Sequence, residues 1–91
     1  MTAGDVADNS ALHRYELAVE GDLAFAEYRD EGSVRVFTHT VVPAPLEGQG
    51  LGSRLVAAAL EDCRAHGRTV RPVCAFVAAY MDRHPETRDL L

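Results

Sequence analysis

From Arg14 onward the chain alternates apolar and polar side chains. Tyr15, Leu17 and Val19 are interleaved with Arg14, Glu16, Ala18 and Glu20, a period of two that predicts a strand with one buried face. Gly21-Asp22 supplies a turn, Leu23 to Arg29 resumes as a second strand, and Asp30-Glu31-Gly32 turns the chain again. Ser33 to Val42 is then a third β-rich run, so the first half reads as an antiparallel meander. It stops at Pro43-Ala44-Pro45, where proline removes a ladder donor and restricts φ. The period then changes. Leu51, Leu55, Val56, Ala59, Leu60 and Cys63 recur three and four residues apart, with Arg54, Glu61, Asp62 and Arg64 on the other side, which predicts an amphipathic helix over 50–66 stopped by His66-Gly67. Thr69 to Cys74 reads as a fourth strand that Pro72 confines to an edge, and Ala75 to Arg83 as a second helix ending before His84-Pro85. The resulting class is α/β (α+β), with the strand 33–42, helix 50–66 and strand 69–74 forming a right-handed crossover. Residues 1–10 are polar and poor in large apolar side chains, so they are expected to form a disordered tail before a single domain over 11–91.

Composition narrows the function classes. A chain of 91 residues with 47% hydrophobic content can bury one modest core. No apolar run approaches the roughly 18 residues of a membrane helix, and no signal-peptide pattern opens the chain; the expectation is a soluble, cytoplasmic protein. Fourteen acidic residues face nine basic ones, all of them Arg, and the net charge of -5 argues against nucleic-acid binding. The imbalance is concentrated early, with eight acids and two Arg in residues 1–31 against six acids and seven Arg in residues 32–91, so the later part can host an anion locally. Cys63 and Cys74 lack zinc-site spacing and are expected to be free thiols, and no metal site is expected.

The segment with most chemical content is Glu47-Gly48-Gln49-Gly50-Leu51-Gly52-Ser53, between a strand and the first helix. Backbone N–H groups at a helix start lie at the positive end of its dipole, and glycines allow an anion to approach them closely. The Lys-Ser/Thr of a P-loop is missing, and three preceding antiparallel strands are the wrong setting for a dinucleotide fingerprint. Taken alone, such a glycine-rich helix start is more often only a tight structural turn.

From His39-Thr40-Val41-Val42-Pro43, through the glycine loop and helix to Cys74, and on to His84-Pro85, the sequence resembles the GNAT acetyltransferase superfamily. That family's loop reads Gln/Arg-x-x-Gly-x-Gly/Ala. Gly50 and Gly52 match it, whereas Glu47 stands at the Gln/Arg position and sets a carboxylate near the phosphates. Within the superfamily, His39-Thr40, Val42-Pro43 and the spacing of Cys74 from Tyr80 resemble the small stand-alone YjdJ-type acetyltransferases over residues 12–91. The resemblance implies a minimal GNAT-like fold in which strands 33–42 and 69–74 splay apart around the pantetheine arm of acetyl-coenzyme A. Val41 and Val42 would then bond that arm through their backbone, and Gln49, Gly50, Leu51, Gly52, Ser53 and Arg54 would surround the pyrophosphate. The early helices that shape acceptor pockets in larger GNAT enzymes are missing, which implies an open substrate face.

Three side chains are candidates for catalysis. Cys74 lies at a strand-to-helix junction, where a helix N-terminus favours thiolate, although a buried Cys is also a common packing residue. Tyr80 either protonates a departing thiolate, as the resemblance implies, or packs with Phe76 and Val77. His39 is an imidazole able to take an amine proton, on the strand expected beside the thioester; His13, His66 and His84 are expected at the surface or as caps, and Cys63 in the core. The expected function is acetyl transfer from acetyl-coenzyme A to a primary amine, directly or through an acetyl-Cys74 intermediate. The alternatives are a non-catalytic module that binds or senses acyl-coenzyme A, and a plain interaction domain.

Overall fold

The computed structural model describes residues 6–91. Its strands are β1 (Ala7–Asn9), β2 (Arg14–Val19), β3 (Asp22–Glu31), β4 (Val34–Val41) and β5 (Thr69–Pro72), and its helices are α1 (Leu51–Ala65) and α2 (Ala75–Arg83). Short 3₁₀ segments at Ala44–Leu46 and Pro85–Leu90 follow β4 and α2. The strands form one sheet in the order β1-β2-β3-β4-β5. The first four are antiparallel neighbours, and β4 and β5 are parallel, joined through α1. The α/β class and the meander-then-crossover order are those of the sequence reading, and Pro72 does lie on an edge strand.

Periodicity became packing as amphipathic patterns should. Tyr15 and Leu17 of β2, Ala24, Ala26 and Tyr28 of β3 and Phe37 of β4 share one core with Leu55, Val56, Ala59, Leu60 and Cys63 of α1 and with Val77 and Met81 of α2. Helix α1 lies over β2 and β3, while α2 lies over β4 and β5 and touches α1. Among the described residues no helix is long and apolar enough to cross a membrane.

The tail expected over 1–10 needs correction for the part described; residues 1–5 lie outside the described residues. Ala7–Asn9 pair with Glu16, Tyr15 and Arg14, and the ordered domain therefore starts before residue 11. The cause is side-chain bonding that low hydrophobicity does not reveal. The Tyr28 hydroxyl donates to Asp8 at 2.5 Å, Asn9 donates to Glu16 at 3.1 Å, and the Arg35 guanidinium reaches Asp8 at 3.4 Å. Arg35 is itself only 5% exposed. Its fork donates twice to Asp30, at 2.8 and 2.9 Å, and once to the Tyr15 hydroxyl at 2.8 Å, and it lies 3.8 Å from the centre of the Tyr28 ring. Tyr15 in turn donates to Asp62 of α1 at 2.6 Å, so one buried cation ties β1, β2, β3 and α1 together. The β2–β3 turn sits one residue before its expected place, and β3 runs two residues past its expected end at Arg29. The β2–β3 turn is Glu20-Gly21, both at positive φ, and the β3–β4 turn follows a strand that runs on through Glu31.

Two irregularities prepare the site. Tyr28 pairs with Phe37 but Glu27 with His39, so Thr38 is an extra residue in β4, a β-bulge. On the other side of β4, pairing with β5 ends at Phe37 and Pro72, followed by one bond from the Cys74 N–H to the Phe37 carbonyl at 2.9 Å. Beyond it, residues 38–41 have no strand on that side among the described residues, and the chain after Cys74 turns away into α2.

Candidate active site

The glycine loop enters α1 through Gly50, a left-handed N-cap with φ of +71° that only glycine adopts without cost. No side chain caps the helix and its first turn carries no acid. The first intrahelical bond of the turn runs from the Arg54 N–H to the Gly50 carbonyl, leaving the amides of Leu51, Gly52 and Ser53 without a helical acceptor at the positive end of the dipole. They border a cavity of about 270 Å³ lined by Val42, Leu46, Glu47, Gly48, Gly50 to Ser53, Phe76 and Arg83.

Of the residues expected around the cofactor, Val42, Gly50, Leu51, Gly52 and Ser53 line this cavity. Val41, Gln49 and Arg54 do not. Val41 is paired with Phe25 at the end of β4, the Gln49 amide donates to the Pro45 carbonyl at 3.3 Å, and Arg54 is exposed on α1. Phe76 and Arg83, both from α2, were not anticipated. Their spacing of seven places them on one side of α2, and that periodicity was the available signal. Gly52 has a packing role that the sequence did not suggest. A Cβ there would lie 2.6 Å from the tip of the Phe76 ring, so the missing side chain is what lets α2 close against α1.

Cys74 caps the N-terminus of α2 in an extended conformation and is 9% exposed. Its Sγ lies 3.4 Å from Oγ1 of Thr40, a neighbour not anticipated from the sequence. Burial alone would push the thiol up, but the Thr40 hydroxyl and the amides of Val77, Phe76 and Thr40 outweigh it and hold the thiol below the ordinary range. Cys63 differs. It is fully buried on α1, burial raises its pKa, and it is a core residue as expected.

His39 is not beside Cys74. It pairs with Glu27 across the sheet, with its Nδ1 3.8 Å from the Glu27 carboxylate, and its side chain is 73% exposed. Thr40, the next residue, pairs with the core residue Ala26, so strand alternation sends His39 to the opposite sheet face from Thr40 and Cys74. Tyr80 packs within the core and stacks on His84, with ring centres 3.9 Å apart, and does not line the cavity. Burial, reinforced by Glu86 and opposed by Arg83, raises its hydroxyl pKa, so it stays protonated. His66 and His84 accept their expected places as helix ends, each with Nδ1 2.8 Å from the carbonyl four residues earlier. Among the described residues no group of three or more His, Cys, Asp or Glu could hold a metal ion.

Comparison with known proteins bears on the family and the fold. The family described as GCN5-related N-acetyl-transferase matches residues 14–90. In three dimensions the chain is similar to a GCN5-like protein from Staphylococcus aureus whose solution structure was determined by NMR. The TM-score is 0.76 at 22% identity, over 99% of this chain and 89% of that one, a likeness of fold.

Proposed function

The chain belongs to the GCN5-related N-acetyltransferase family, and on that premise we propose that it moves an acetyl group from acetyl-coenzyme A to a primary amine. Family and fold assign it to acyl transfer; the donor, the acceptor and the residues below are our reading. The observation that carries it is the set of uncapped amides at the start of α1, opening onto a cavity beside the unpaired edge of β4.

The residues suit the donor. Amides of Leu51, Gly52 and Ser53 would take the pyrophosphate, held without any side-chain charge of their own. Leu46 and Phe76 offer apolar walls, and the free edge of β4 toward Val42 offers backbone groups for the amides of the pantetheine arm. Bound there, the donor supplies an activated acyl carbon on a good leaving group. Cys74 is outside the cavity lining but lies two residues before its wall residue Phe76, and with its thiol held low beside Thr40 it is suited to take the acyl group, releasing the coenzyme A thiol, before an amine receives it. Glu27 and His39 lie on the sheet face opposite Cys74 and are suited to draw a cationic acceptor to that face, not to deprotonate an amine at the Cys74 sulfur. Tyr80, kept protonated, is left a packing role by its stacking on His84.

Calorimetry with coenzyme A is the direct test. Wild type should bind, and Gly50→Glu should lose at least about tenfold, because it strains a left-handed N-cap and sets a carboxylate at the anion cradle. No binding by wild type, or equal binding by the variant, would refute the site. A mass-spectrometric panel of amines with acetyl-coenzyme A then separates an enzyme from a non-catalytic acyl-coenzyme A module, since only the enzyme acetylates an amine.

A further inference from the structure

Six of the nine Arg are engaged with carboxylates: Arg14 with Glu16, Arg29 with Glu31, Arg35 and Arg68 with Asp30, Arg64 with Asp89, and Arg71 with Glu31. Arg88 donates to the Asp82 carbonyl. Among the described residues, Arg54 and Arg83 alone have neither kind of bond, although the protein carries more acids than bases. Their settings differ. Both are exposed, but Arg54 on α1 borders no cavity, whereas Arg83 lines the cavity at the glycine loop. The other charged group of that lining is Glu47. Without Arg83 the cavity would present one net negative charge, in a chain of net charge -5, to any phosphate entering it.

We propose that Arg83 is the side-chain cation that reads the phosphates of the bound coenzyme, the task the sequence suggested for Arg54. The inference rests on the coenzyme A reading of the cavity. Arg83 is suited by position and by chemistry. It occupies the last turn of α2, where the negative end of the helix dipole favours a cation, and Phe76, seven residues earlier on the same side, forms the adjoining wall. A guanidinium can present two parallel donors to a phosphate, whereas the amides across the cavity act singly. Glu47, where the family has Gln or Arg, makes this cation more necessary: it offsets the carboxylate and supplies the attraction that position 47 does not.

The experiment is calorimetry of wild type, Arg83→Gln, Arg83→Lys and Glu47→Gln against coenzyme A, 3′-dephospho-coenzyme A and pantetheine. Arg83→Gln should weaken coenzyme A about tenfold and leave pantetheine unchanged, Arg83→Lys should recover part of the loss, and Glu47→Gln should tighten coenzyme A. A loss shared by the dephosphorylated coenzyme assigns Arg83 to the pyrophosphate; a loss confined to intact coenzyme A assigns it to the 3′-phosphate. Because Arg83 makes no hydrogen bond or salt bridge among the described residues, its variants should stay folded, Arg83→Lys melting as wild type does and Arg83→Gln lower only by the small loss of a cation at the end of α2. Wild-type affinity for coenzyme A in Arg83→Gln, or an equal loss for pantetheine, would overturn the proposal and leave the coenzyme A site standing. Absence of binding by wild type would remove both.

Discussion

Replacing Gly52 by Ala tests whether the closeness of α1 and α2 rests on one missing methyl group. The added Cβ would lie 2.6 Å from the Phe76 ring tip and 3.3 Å from the two adjacent ring carbons. Carbon atoms attract at about 3.5–4.0 Å, so the ring tip must withdraw by roughly 1 Å. Overpacking of this kind costs about 1–3 kcal/mol. Alanine returns up to about 1 kcal/mol of helix propensity over glycine, and Phe76 is 38% exposed and can swing outward, so we expect a net loss of roughly 1 kcal/mol. The decisive quantity is the coupling. In a Phe76→Ala background the clash is gone and Gly52→Ala should become neutral or stabilising, giving an interaction of about 1–2 kcal/mol in a double-mutant cycle measured by urea unfolding. The same cycle read by coenzyme A titration should show Gly52→Ala weakening affinity, because Phe76 is a wall of the cavity. An equal cost of Gly52→Ala in both backgrounds would refute the packing argument and return Gly52 to a role at the phosphates alone.

Two further outcomes follow from the charges and thiols. Under native conditions near neutral pH, a haloacetamide should label Cys74 well before Cys63, since one thiol is held low and the other is raised and fully buried; mass spectrometry after partial reaction checks this, and equal rates would contradict it. Asp30→Asn should destabilise the fold by about 2 kcal/mol, because it strips the main partner from a buried Arg35 while Asp8 and Tyr15 remain. The hydrogen bond from Arg35 holds the Asp30 carboxyl below the usual range, so its stabilisation is present above the unfolded-state value near pH 4 and is lost as pH falls through the folded-state value; the variant should therefore lose part of the acid limb of a stability-versus-pH curve.

Elements whose signal is local were legible in the sequence. The helix expected over 50–66 runs from Leu51 to Ala65, the second from Ala75 to Arg83, and Pro72 marks an edge strand, because apolar spacing and proline restriction act within a few residues. The glycine entry to α1 was legible for the same reason, Gly50 being its left-handed N-cap. The cavity's far wall was not, since Phe76 and Arg83 reach it only after α2 packs beside α1. Arg54 and Arg83 look alike as helix arginines, and which of them faces the cavity depends on how the helices are rotated in the fold.

By itself, the pattern of apolar and polar residues determined the meander, the two helices and their order. The tertiary structure decided what depends on distant partners. Asp8 joins β1 to the sheet through Tyr28 and Arg35, which are twenty and twenty-seven residues away. The extra residue at Thr38 changes the pairing of β4, so that Thr40 meets Cys74 while His39 turns to Glu27 on the other face. A strand's sequence states that its neighbours point opposite ways; only the partner strand, and the bulge where the two fall out of step, sets which residue points where.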